Sequence, residues 1–441
     1  MGAKDAKKMI RSATSRMFRL GGLAGRVGMS MAGNAVAGLF RDMERSHEIR
    51  ADLMLKNALR VKDLLGQLKG VPMKIGQMVS LHERLFPPEV ARVLQTLQQN
   101  APSVPFGDLV DLIREELGSN FHQIRHIDEE PLAAASIGQV HRAVLKDGRE
   151  IALKIQYPGI DEVIRADLKN LKGLLKLVFS MFSRMDMEPV WQELNARLLE
   201  ELDYTKEAAH MKRMAKLFVD DATVRIPEVI DALSSRHVLG MELVTGIPPD
   251  AAATDTFPQD LKNTWGKAIF RLILKGLFTY RFLHADPNIA NFAFCETGGI
   301  IVYDYGCMKE IPEALAKGYN RLFRAVLEHD YPNIPRILKD MGVHRADGSP
   351  LPWQMITDFA NLFQKILKPD GCYTFDNDGD MYEQIFALGQ QYLPESMNMI
   401  FPKDIVFIDR TFSGHFGNLC RLNASADWRA ILTAHLPPAE T

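Results

Sequence analysis

The sequence predicts an α+β protein of two lobes, in which helices outnumber strands. Three observations predict this class: helical apolar spacing up to about residue 117, a change to alternating apolar residues near residue 121, and a return to helical spacing over most of the chain beyond residue 245. Hydrophobic residues make up 46% and charged residues 24%, which is ordinary globular composition. We expect a helical extension at 1–118, a lobe of sheet and helices at 119–244, and a helical lobe at 245–441.

The distribution of charge argues against one class of partner and favours another. The formal net charge is −2, so nothing in the overall electrostatics favours nucleic acid, and we predict no nucleic-acid partner. Residues 1–30 carry seven basic side chains and one acidic one, which suits an anionic membrane surface, although a solvated basic helix explains them equally well.

No stretch of about 18 uncharged apolar residues occurs, so we predict no membrane-spanning helix.

The cysteines point to a compartment. All four lie far apart and form no CxxC pair, which is typical of a protein in a reducing environment and gives no zinc signal. We therefore expect a cytoplasmic protein, and the basic residues at 1–30 lead us to expect it at the periphery of a membrane.

In the first half of the chain, apolar spacing separates helices from strands. Two strands are predicted at 139–145 and 150–156, joined by a turn in which Asp147-Gly148 supplies the positive φ that a tight hairpin needs. The other predicted elements here are helices at 45–69, 88–99, 106–117, 161–182 and 187–217, and a strand at 236–243.

The second half is predicted to be helical with a single hairpin. A long, mostly apolar helix is expected at 258–282, and helices are expected again from about residue 312. Between them, apolar runs on either side of a Glu-Thr-Gly-Gly turn at 296–299 predict a hairpin over 291–303.

Lys154 is the first candidate for chemistry, because it lies inside an apolar strand where its charge needs a partner. Kinases use a lysine in such a strand to hold the α- and β-phosphates of ATP. A lysine on an edge strand, with its ammonium in solvent, is the plainer explanation of the same residue. Glu200 or Glu201, in the helix predicted at 187–217, could pair with it, although acids on a helix are commonly a solvated face.

The second group of candidates follows the long apolar helix. Asp286 and Asn291 have the spacing of the HRDxxxxN catalytic loop, in which the aspartate accepts the substrate proton and the asparagine binds a metal. Asp304, in Asp304-Tyr305-Gly306, occupies the position of the DFG aspartate that binds Mg²⁺. The predicted hairpin would bring Asn291 and Asp304 together at one site.

Two features of ordinary protein kinases are missing. No GxGxxG loop precedes the strand lysine, and an alanine-rich segment, Ala133–Gln139, stands in its place. No APE sequence follows the DYG tripeptide, and a helix predicted near Pro312 leaves no room for a long activation loop. We therefore expect no platform for peptide substrates.

Taken together, these residues resemble the UbiB-type atypical kinases, the ADCK/AarF family, over roughly residues 45–310. The resemblance implies a protein-kinase-like bilobal fold, mostly helical, with an N-terminal helical KxGQ extension folded over the active site. The matching segments are Lys74-Ile75-Gly76-Gln77, the alanine-rich loop from Ala133 to Val140, Lys154 with the following Gln156-Tyr157-Pro158-Gly159, and Glu201-Leu202-Asp203 with Glu207 after it.

The resemblance also implies roles for individual residues, with ATP or ADP and Mg²⁺ as cofactors. Asp286 is the expected base, Lys154 is expected to hold phosphate while paired with Glu201, and Asn291 and Asp304 are the expected metal ligands. ATP is expected in the cleft between the lobes. Its expected contacts are Ala133, Ala134, Ala135, Ser136, Lys154, Lys74 and Gln77, with Met241, Glu242 and Val244 in a hinge whose backbone reads adenine.

Family members support ubiquinone or related isoprenoid-lipid metabolism. The resemblance therefore implies that this chain supports the same metabolism by ATP hydrolysis or by phosphorylation of a small molecule. The implied partners are ATP, a quinone or isoprenoid lipid, an anionic membrane surface and other quinone-biosynthesis proteins. One alternative is a catalytically weak nucleotide-binding regulator or scaffold. Another is an antibiotic-phosphotransferase-like enzyme, although the KxGQ motif argues against it.

One departure from the family concerns the catalytic loop, where the usual HADPHPGN reads His284-Ala285-Asp286-Pro287-Asn288-Ile289-Ala290-Asn291. The expected base and metal ligand survive, whereas the family's His-Pro-Gly between them is replaced by Asn288-Ile289-Ala290. We further expect His284 to be a structural hydrogen-bonding residue and Arg410 to close a structural ion pair.

Overall fold

The computed structural model describes residues 104–438, except position 136, most of positions 163–187, and positions 370, 377–379 and 397. The helices predicted at 45–69 and 88–99, the basic start of the chain and the KxGQ motif lie outside the described residues. Most of the helix predicted at 161–182 lies outside them as well.

Helices and short strands alternate through the described part of the chain. The helices are α1 Phe106–Leu117, α2 Glu188–Glu200, α3 Tyr204–Leu217, α4 Pro249–Ala252, α5 Gln259–Leu274, α6 Glu313–Leu327, α7 Ile334–Asp340, α8 Trp353–Ile366, α9 Asp380–Gln391, α10 Leu393–Ser396, α11 Lys403–Arg421 and α12 Trp428–His435. The strands are β1 Ile124–Ile127, β2 Ala133–Ala134, β3 Gly138–Leu145, β4 Glu150–Gln156, β5 Val224–Arg225, β6 Val238–Glu242, β7 Phe282–His284, β8 Phe292–Phe294, β9 Ile300–Val302, β10 Met308–Glu310, β11 His344–Arg345, β12 Tyr373–Thr374, β13 Met399–Ile400 and β14 Ser425–Ala426.

The chain divides into two compact units. Among the described residues, the first contains those up to Lys206 together with Val229–Leu243, and the second contains Glu207–Glu228 and the residues from Val244 onward. The lobe limits of 119–244 and 245–441 stay a prediction.

The first unit is built on an antiparallel five-stranded sheet. Its strands run in the order β1-β3-β4-β6, and β2 pairs with the beginning of β3, at Gln139 and Val140. β3 alternates buried and half-buried residues, whereas β4 is buried along almost its whole length because it lies between β3 and β6. The predicted hairpin is confirmed, and Gly148 adopts φ +89° in its turn.

One predicted helix in this region is wrong. The helix expected over 187–217 is two helices, α2 and α3, separated at Glu201-Leu202-Asp203. The Asp203 carboxylate accepts hydrogen bonds from the backbone N–H of Thr205, at 3.1 Å, and from its hydroxyl, and so starts α3. Leu202 is completely buried, which fixes the break in the core of the unit. Glu201 therefore lies between two helices rather than within one.

The second unit is centred on α5. Its buried face carries Trp265, Ile269 and Ile273, and the Trp265 ring lies 4.9 Å from that of Phe294. The helix predicted to run to residue 282 ends earlier, in a π-helical turn at Lys275–Thr279. Arg281 then adopts a left-handed φ of +49°, which ends the helical path and lets the chain enter β7.

The hairpin predicted over 291–303 is confirmed as β8 and β9, which pair with Phe292 opposite Val302. The other strand pairs in this described part of the chain were not predicted, but they join strands that are not consecutive in the chain and so are not hairpins. β5 adds to β9 in parallel, and three further two-stranded pairs, β7 with β10, β11 with β13 and β12 with β14, occur among the described residues. The pair formed by β7 and β10 matters most, because it joins the segments before Asp286 and after Asp304.

No helix in the described part of the chain is both long enough and apolar enough to span a bilayer.

Candidate active site

Lys154 lies in the interior of the first unit's sheet. It is opposite Val140 on β3 and Leu239 on β6, and 7% of its surface is exposed. Its Nζ lies 5.2 Å from the ring centroid of Tyr204, within cation–π range. The edge-strand alternative is therefore wrong, and the lysine is a charged residue built into a central, buried strand.

The strand that carries this lysine is tied to the acidic segment at the break between α2 and α3. Gln156, two residues after Lys154 on the same face of β4, is completely buried, and its Nε2 donates to the backbone carbonyl of Glu201 at 3.1 Å. The backbone N–H of Tyr204 donates to the backbone carbonyl of Arg236, just before β6, at 2.9 Å. The segment after α2 is thereby fixed to the sheet near the lysine.

The alanine-rich loop and the predicted hinge both contribute residues to strands of the same sheet. Ala133 and Ala134 form β2 and are exposed, and the backbone N–H of Ala135 donates to the Gly138 carbonyl at 2.9 Å. Met241 and Glu242 end β6, opposite Ala152 and Ile151. The predicted nucleotide contacts Ser136, Lys74 and Gln77 lie outside the described residues.

In the second unit, two successive side-chain turns shape the candidate catalytic loop, residues 284–291. Asp286 Oδ1 accepts from the Asn288 backbone N–H at 3.1 Å, and Asn288 Oδ1 accepts from the Ala290 N–H at 3.2 Å. The second bond caps a short 3₁₀ turn that ends at Asn291. Asn288, which stands where the family has histidine, therefore closes the loop through its own amide.

The predicted convergence of Asn291 and Asp304 rests on the hairpin of β8 and β9. The backbone N–H of Tyr303 donates to the Asn291 carbonyl at 2.9 Å, directly before Asp304. Asp304 Oδ1 in turn accepts from the Gly306 N–H at 3.0 Å, which orients the carboxylate. The bond from Tyr303 joins the hairpin's two ends immediately next to both candidate metal ligands.

The DYG tripeptide is held at its centre by one helix. Glu207, 5% exposed, accepts from the Tyr305 backbone N–H at 3.3 Å, and His210 Nδ1 donates to the Tyr305 carbonyl at 3.0 Å. Positions 207 and 210 share one face of α3. The Tyr305 side chain is completely buried, and burial raises the pKa of its phenol well above the usual value.

A buried layer of rings lies beneath the two candidate metal ligands. His284 Nε2 donates to the Asp304 carbonyl at 2.7 Å, which confirms the expectation that it is a structural hydrogen-bonding residue. Phe292 meets the His284 and His415 rings edge-on, with centroids at 5.6 and 5.4 Å. Burial, reinforced by the neighbouring His284, lowers the pKa of His415 from 6.5 to about 3, so this imidazole is neutral at pH 7.

α11 supports the candidate catalytic loop from the side, through three residues spaced four apart on one face: Arg410, Gly414 and Asn418, here called the loop seat. Arg410 lies 3.9 Å from Asp286 Oδ1, and Asn418 Nδ2 donates to the Pro287 carbonyl at 2.9 Å. Gly414 packs so closely on Pro287 that an added Cβ would lie 2.4 Å from its Cγ.

The loop seat was largely missed by reasoning from the sequence. The ion pair expected for Arg410 is confirmed, but its partner is the candidate base. The only signal in the sequence is the repeat of Arg, Gly and Asn at intervals of four within a predicted helix.

The side chains fit a magnesium ion that arrives with phosphates. Asn291 and Asp304 offer an amide and a carboxylate oxygen, the hard donors that Mg²⁺ prefers, and Mg²⁺ commonly takes one or two protein ligands alongside phosphates and water. The Asn291 amide also has a buried Nδ2 with no hydrogen-bond partner among the described residues, as expected of a group that a bound ligand would satisfy. Among the described residues, no three His, Cys, Asp or Glu side chains form a metal cluster.

Comparison with known proteins identifies the family of this chain. The model of the ABC1 atypical kinase-like domain matches residues 96–338, more than half of the chain. The chain belongs to the ABC1 atypical kinase-like family. This family is the one that the KxGQ and alanine-rich segments indicated, and its kinase-like fold agrees with the mostly helical α+β class predicted from the sequence.

Named relatives of this ABC1-family chain are atypical kinases. It is 34% identical to the rat (Rattus norvegicus) mitochondrial atypical kinase COQ8B over 339 residues, which cover 76% of this chain and 64% of the relative. It is 29% identical to the COQ8 protein of Schizosaccharomyces pombe over 448 residues, covering 98% and 71%. The chain spans about half to two-thirds of the length of several of these relatives.

A solved structure shares the fold. The Mycobacterium tuberculosis protein Rv3197, in its complex with erythromycin, superimposes with a TM-score of 0.64 at 25% sequence identity, covering 89% of this chain and 98% of that one.

Proposed function

We propose that this ABC1-family chain binds Mg-ATP and transfers the γ-phosphoryl group to water or to a small hydroxyl compound. The observation that carries the proposal is the arrangement in the second unit, where backbone bonds join the Asn291 and Asp304 ends of one hairpin and Asp286 lies on the loop that leads into it. This order and spacing resemble those of the catalytic loop and DFG segment of kinases, which supports the proposal.

The first unit supplies the residues for the nucleotide in this proposal. A lysine in a central, buried strand is costly unless its charge is used, and Lys154 is such a lysine. We assign it to the ATP phosphates, with Glu201 as its ion-pair partner. The alanine-rich loop, the segment Met241–Val244, Lys74 and Gln77 are assigned to the nucleotide on the family resemblance.

The proposed chemistry is mainly positioning and charge neutralisation. The nucleophile's O–H donates to the Asp286 carboxylate as its oxygen forms a bond to the γ-phosphorus, and the bond from that phosphorus to the ADP oxygen breaks. The proton passes to Asp286, and the products are ADP and either phosphate or a phosphorylated hydroxyl. Mg²⁺, held by Asn291 and Asp304, would supply positive charge for the phosphate oxygens.

The physiological role proposed here is support of ubiquinone or related isoprenoid-lipid biosynthesis, by ATP hydrolysis or phosphorylation of a small lipid-linked hydroxyl. The named relatives are COQ8 proteins, and the family resemblance points to the same role. We further propose peripheral contact with an anionic membrane, and contact with other quinone-biosynthesis proteins. The alternative is a nucleotide-binding regulator or scaffold with little turnover.

Phosphate release from ATP tests the proposal, measured with and without Mg²⁺ and with vesicles containing anionic lipid. We expect Mg²⁺-dependent turnover that falls at least about 100-fold in Asp304→Asn. The variant should still fold, because an amide oxygen also accepts from the Gly306 N–H. Asp340→Asn is the matched control, since Asp340 forms an exposed pair with Arg321.

Two outcomes would count against the proposal. Nucleotide binding without turnover in any of these conditions supports the scaffold alternative. Equal turnover in the unchanged protein and Asp304→Asn removes Asp304 from the reaction. Quinone profiles of cells that lack the protein test the physiological role separately.

A further inference from the structure

The carboxylate of Asp286 is approached from one side. Among the described residues, the Asn288 backbone N–H, at 3.1 Å, and the Arg410 guanidinium, at 3.9 Å, both reach Oδ1. If Asp286 is to accept a proton, one oxygen must stay available to the nucleophile while the other fixes the orientation of the group. The contacts to Oδ1 would leave Oδ2 for that purpose.

We propose that Arg410 is a positioning residue for the reaction: through the Asp286 carboxylate it holds Oδ1 and presents Oδ2 to the nucleophile. This inference rests on the proposed function and adds to it a residue more than a hundred positions along the chain from the catalytic loop. Arg410 acts as the charged member of the loop seat, whose other members hold Pro287.

Burial makes this ion pair effective. The side chains of Arg410 and Asp286 are 16% and 15% exposed, so solvent and salt screen their attraction less than they screen a surface pair. The nearby imidazole of His415 carries no competing positive charge at pH 7 because its pKa is about 3. The attraction of Arg410 for Asp286 is therefore not shared with a second buried cation from the same helix.

The other two residues of the loop seat, Gly414 and Asn418, fix the distance between α11 and the loop that carries Asp286. Asn418 binds the Pro287 carbonyl, and Gly414 leaves no room between helix and proline. With the backbone of Pro287 held, the Asp286 side chain can turn only about its own bonds. A charge at position 410 then selects one orientation of the carboxylate.

The test compares Arg410→Met, Arg410→Lys and the control Arg421→Met. Arg421 lies on the same helix and pairs with the exposed Asp250 at 2.5 Å. We expect Arg410→Met to lower kcat by about 10²-fold, the usual result of a misplaced catalytic group, with the KM for ATP changed less than about 3-fold. Arg410→Lys should recover part of kcat, and Arg421→Met should leave both constants unchanged.

Two further measurements separate positioning from a structural role. In the Asp286→Asn background, Arg410→Met should cause no further loss of kcat, because a residue that acts through Asp286 has nothing left to position. Millimolar methylguanidinium should restore turnover to Arg410→Ala at least about 5-fold and leave Arg421→Ala unchanged. A larger loss in the double variant would instead assign Arg410 to the substrate, and absence of rescue in Arg410→Ala would assign it to folding. Either result overturns the proposal.

Hydrogen exchange provides a readout that does not need turnover. The Asn288 N–H is bonded to Asp286 Oδ1, so peptides that contain residues 286–291 should exchange faster in Arg410→Met and at the unchanged rate in Arg421→Met. If the unchanged protein binds ATP without hydrolysing it, the proposed function fails, and this exchange difference still decides whether Arg410 orients Asp286. Equal exchange in both variants overturns the positioning role.

Discussion

Replacing Gly414 with alanine tests how tightly α11 and the candidate catalytic loop fit together. The new Cβ would lie 2.4 Å from Cγ and 2.6 Å from Cβ of Pro287, whereas ordinary van der Waals contact begins at 3.4 Å. Helix and loop must therefore separate by about 1 Å, because a packed interior has no free space to absorb the methyl group.

The energetic consequence follows from two opposed effects. Alanine stabilises a helix interior by about 1 kcal/mol relative to glycine. Overpacking destabilises by about 1–3 kcal/mol. Gly414→Ala should therefore be neutral to about 2 kcal/mol less stable than the unchanged protein. Gly417→Ala is the matched control on the same helix, because its Cβ would meet nothing within 4 Å. This variant has only the stabilisation that alanine gives a helix, so it should be more stable than Gly414→Ala.

Thermal unfolding and ATP turnover measure the two consequences. Gly414→Ala should melt below Gly417→Ala by about 1–2 °C for each kcal/mol that separates them, because the entropy of unfolding grows with chain length. A displacement of about 1 Å beside Asp286, the proposed base, should lower kcat about 10²-fold. If the two variants melt together and both turn over ATP like the unchanged protein, Pro287 does not rest on Gly414 and the loop seat is wrong.

Two further predictions concern buried polar groups of the second unit. The pKa of His415 is about 3 in the folded protein and 6.5 in the unfolded chain. Between these values the imidazole is protonated in the unfolded chain and neutral in the folded protein. Stability should therefore fall below pH 6.5, by at most about 1.4 kcal/mol per pH unit, and His415→Gln should flatten the pH dependence of unfolding between pH 7 and 5. Glu207→Ala leaves the Tyr305 N–H without its acceptor and should destabilise by about 1–3 kcal/mol, measured by urea unfolding. Glu207→Gln, which keeps an acceptor oxygen, should be less destabilised.

Each of these predictions has a contrary outcome. An identical pH dependence in the unchanged protein and His415→Gln would show that His415 is not the group that titrates. Equal stability of the alanine and glutamine variants at position 207 would show that the bond to Tyr305 contributes nothing.

Local patterns predicted the parts of this structure that are set by neighbouring residues. The hairpin around Gly148 and the pair β8 and β9 were predicted because alternation and turn residues are readable over about ten positions. The same hairpin logic predicted that Asn291 and Asp304 converge. Their backbone connection through Tyr303 is a direct result of strand pairing.

Contacts between distant segments were not predictable in this way. Arg410 meets Asp286 only because α11 packs against the loop, and nothing near either residue encodes that packing. Glu207 was noted as one more acid, and its bond to Tyr305 likewise depends on tertiary structure. The break before α3 was readable in principle, because Asp203 followed by Thr205 is a helix-start signal. The end of α5 was not, since the left-handed Arg281 carries no sequence mark.

The fixation of Tyr305 has a consequence for control. In many kinases the DFG tripeptide rotates between an active and an inactive setting, and regulators act by favouring one of them. Such a rotation here would break the two hydrogen bonds from the Glu207 and His210 side chains to the Tyr305 backbone, each worth about 1 kcal/mol, and would expose a fully buried ring at a further cost of about 2 kcal/mol. A swivelled tripeptide would then be about a thousandfold rarer than the inward one. Inhibitors that require the swivelled tripeptide should consequently bind this protein poorly, and a switch that regulates this site should operate somewhere other than the DYG tripeptide.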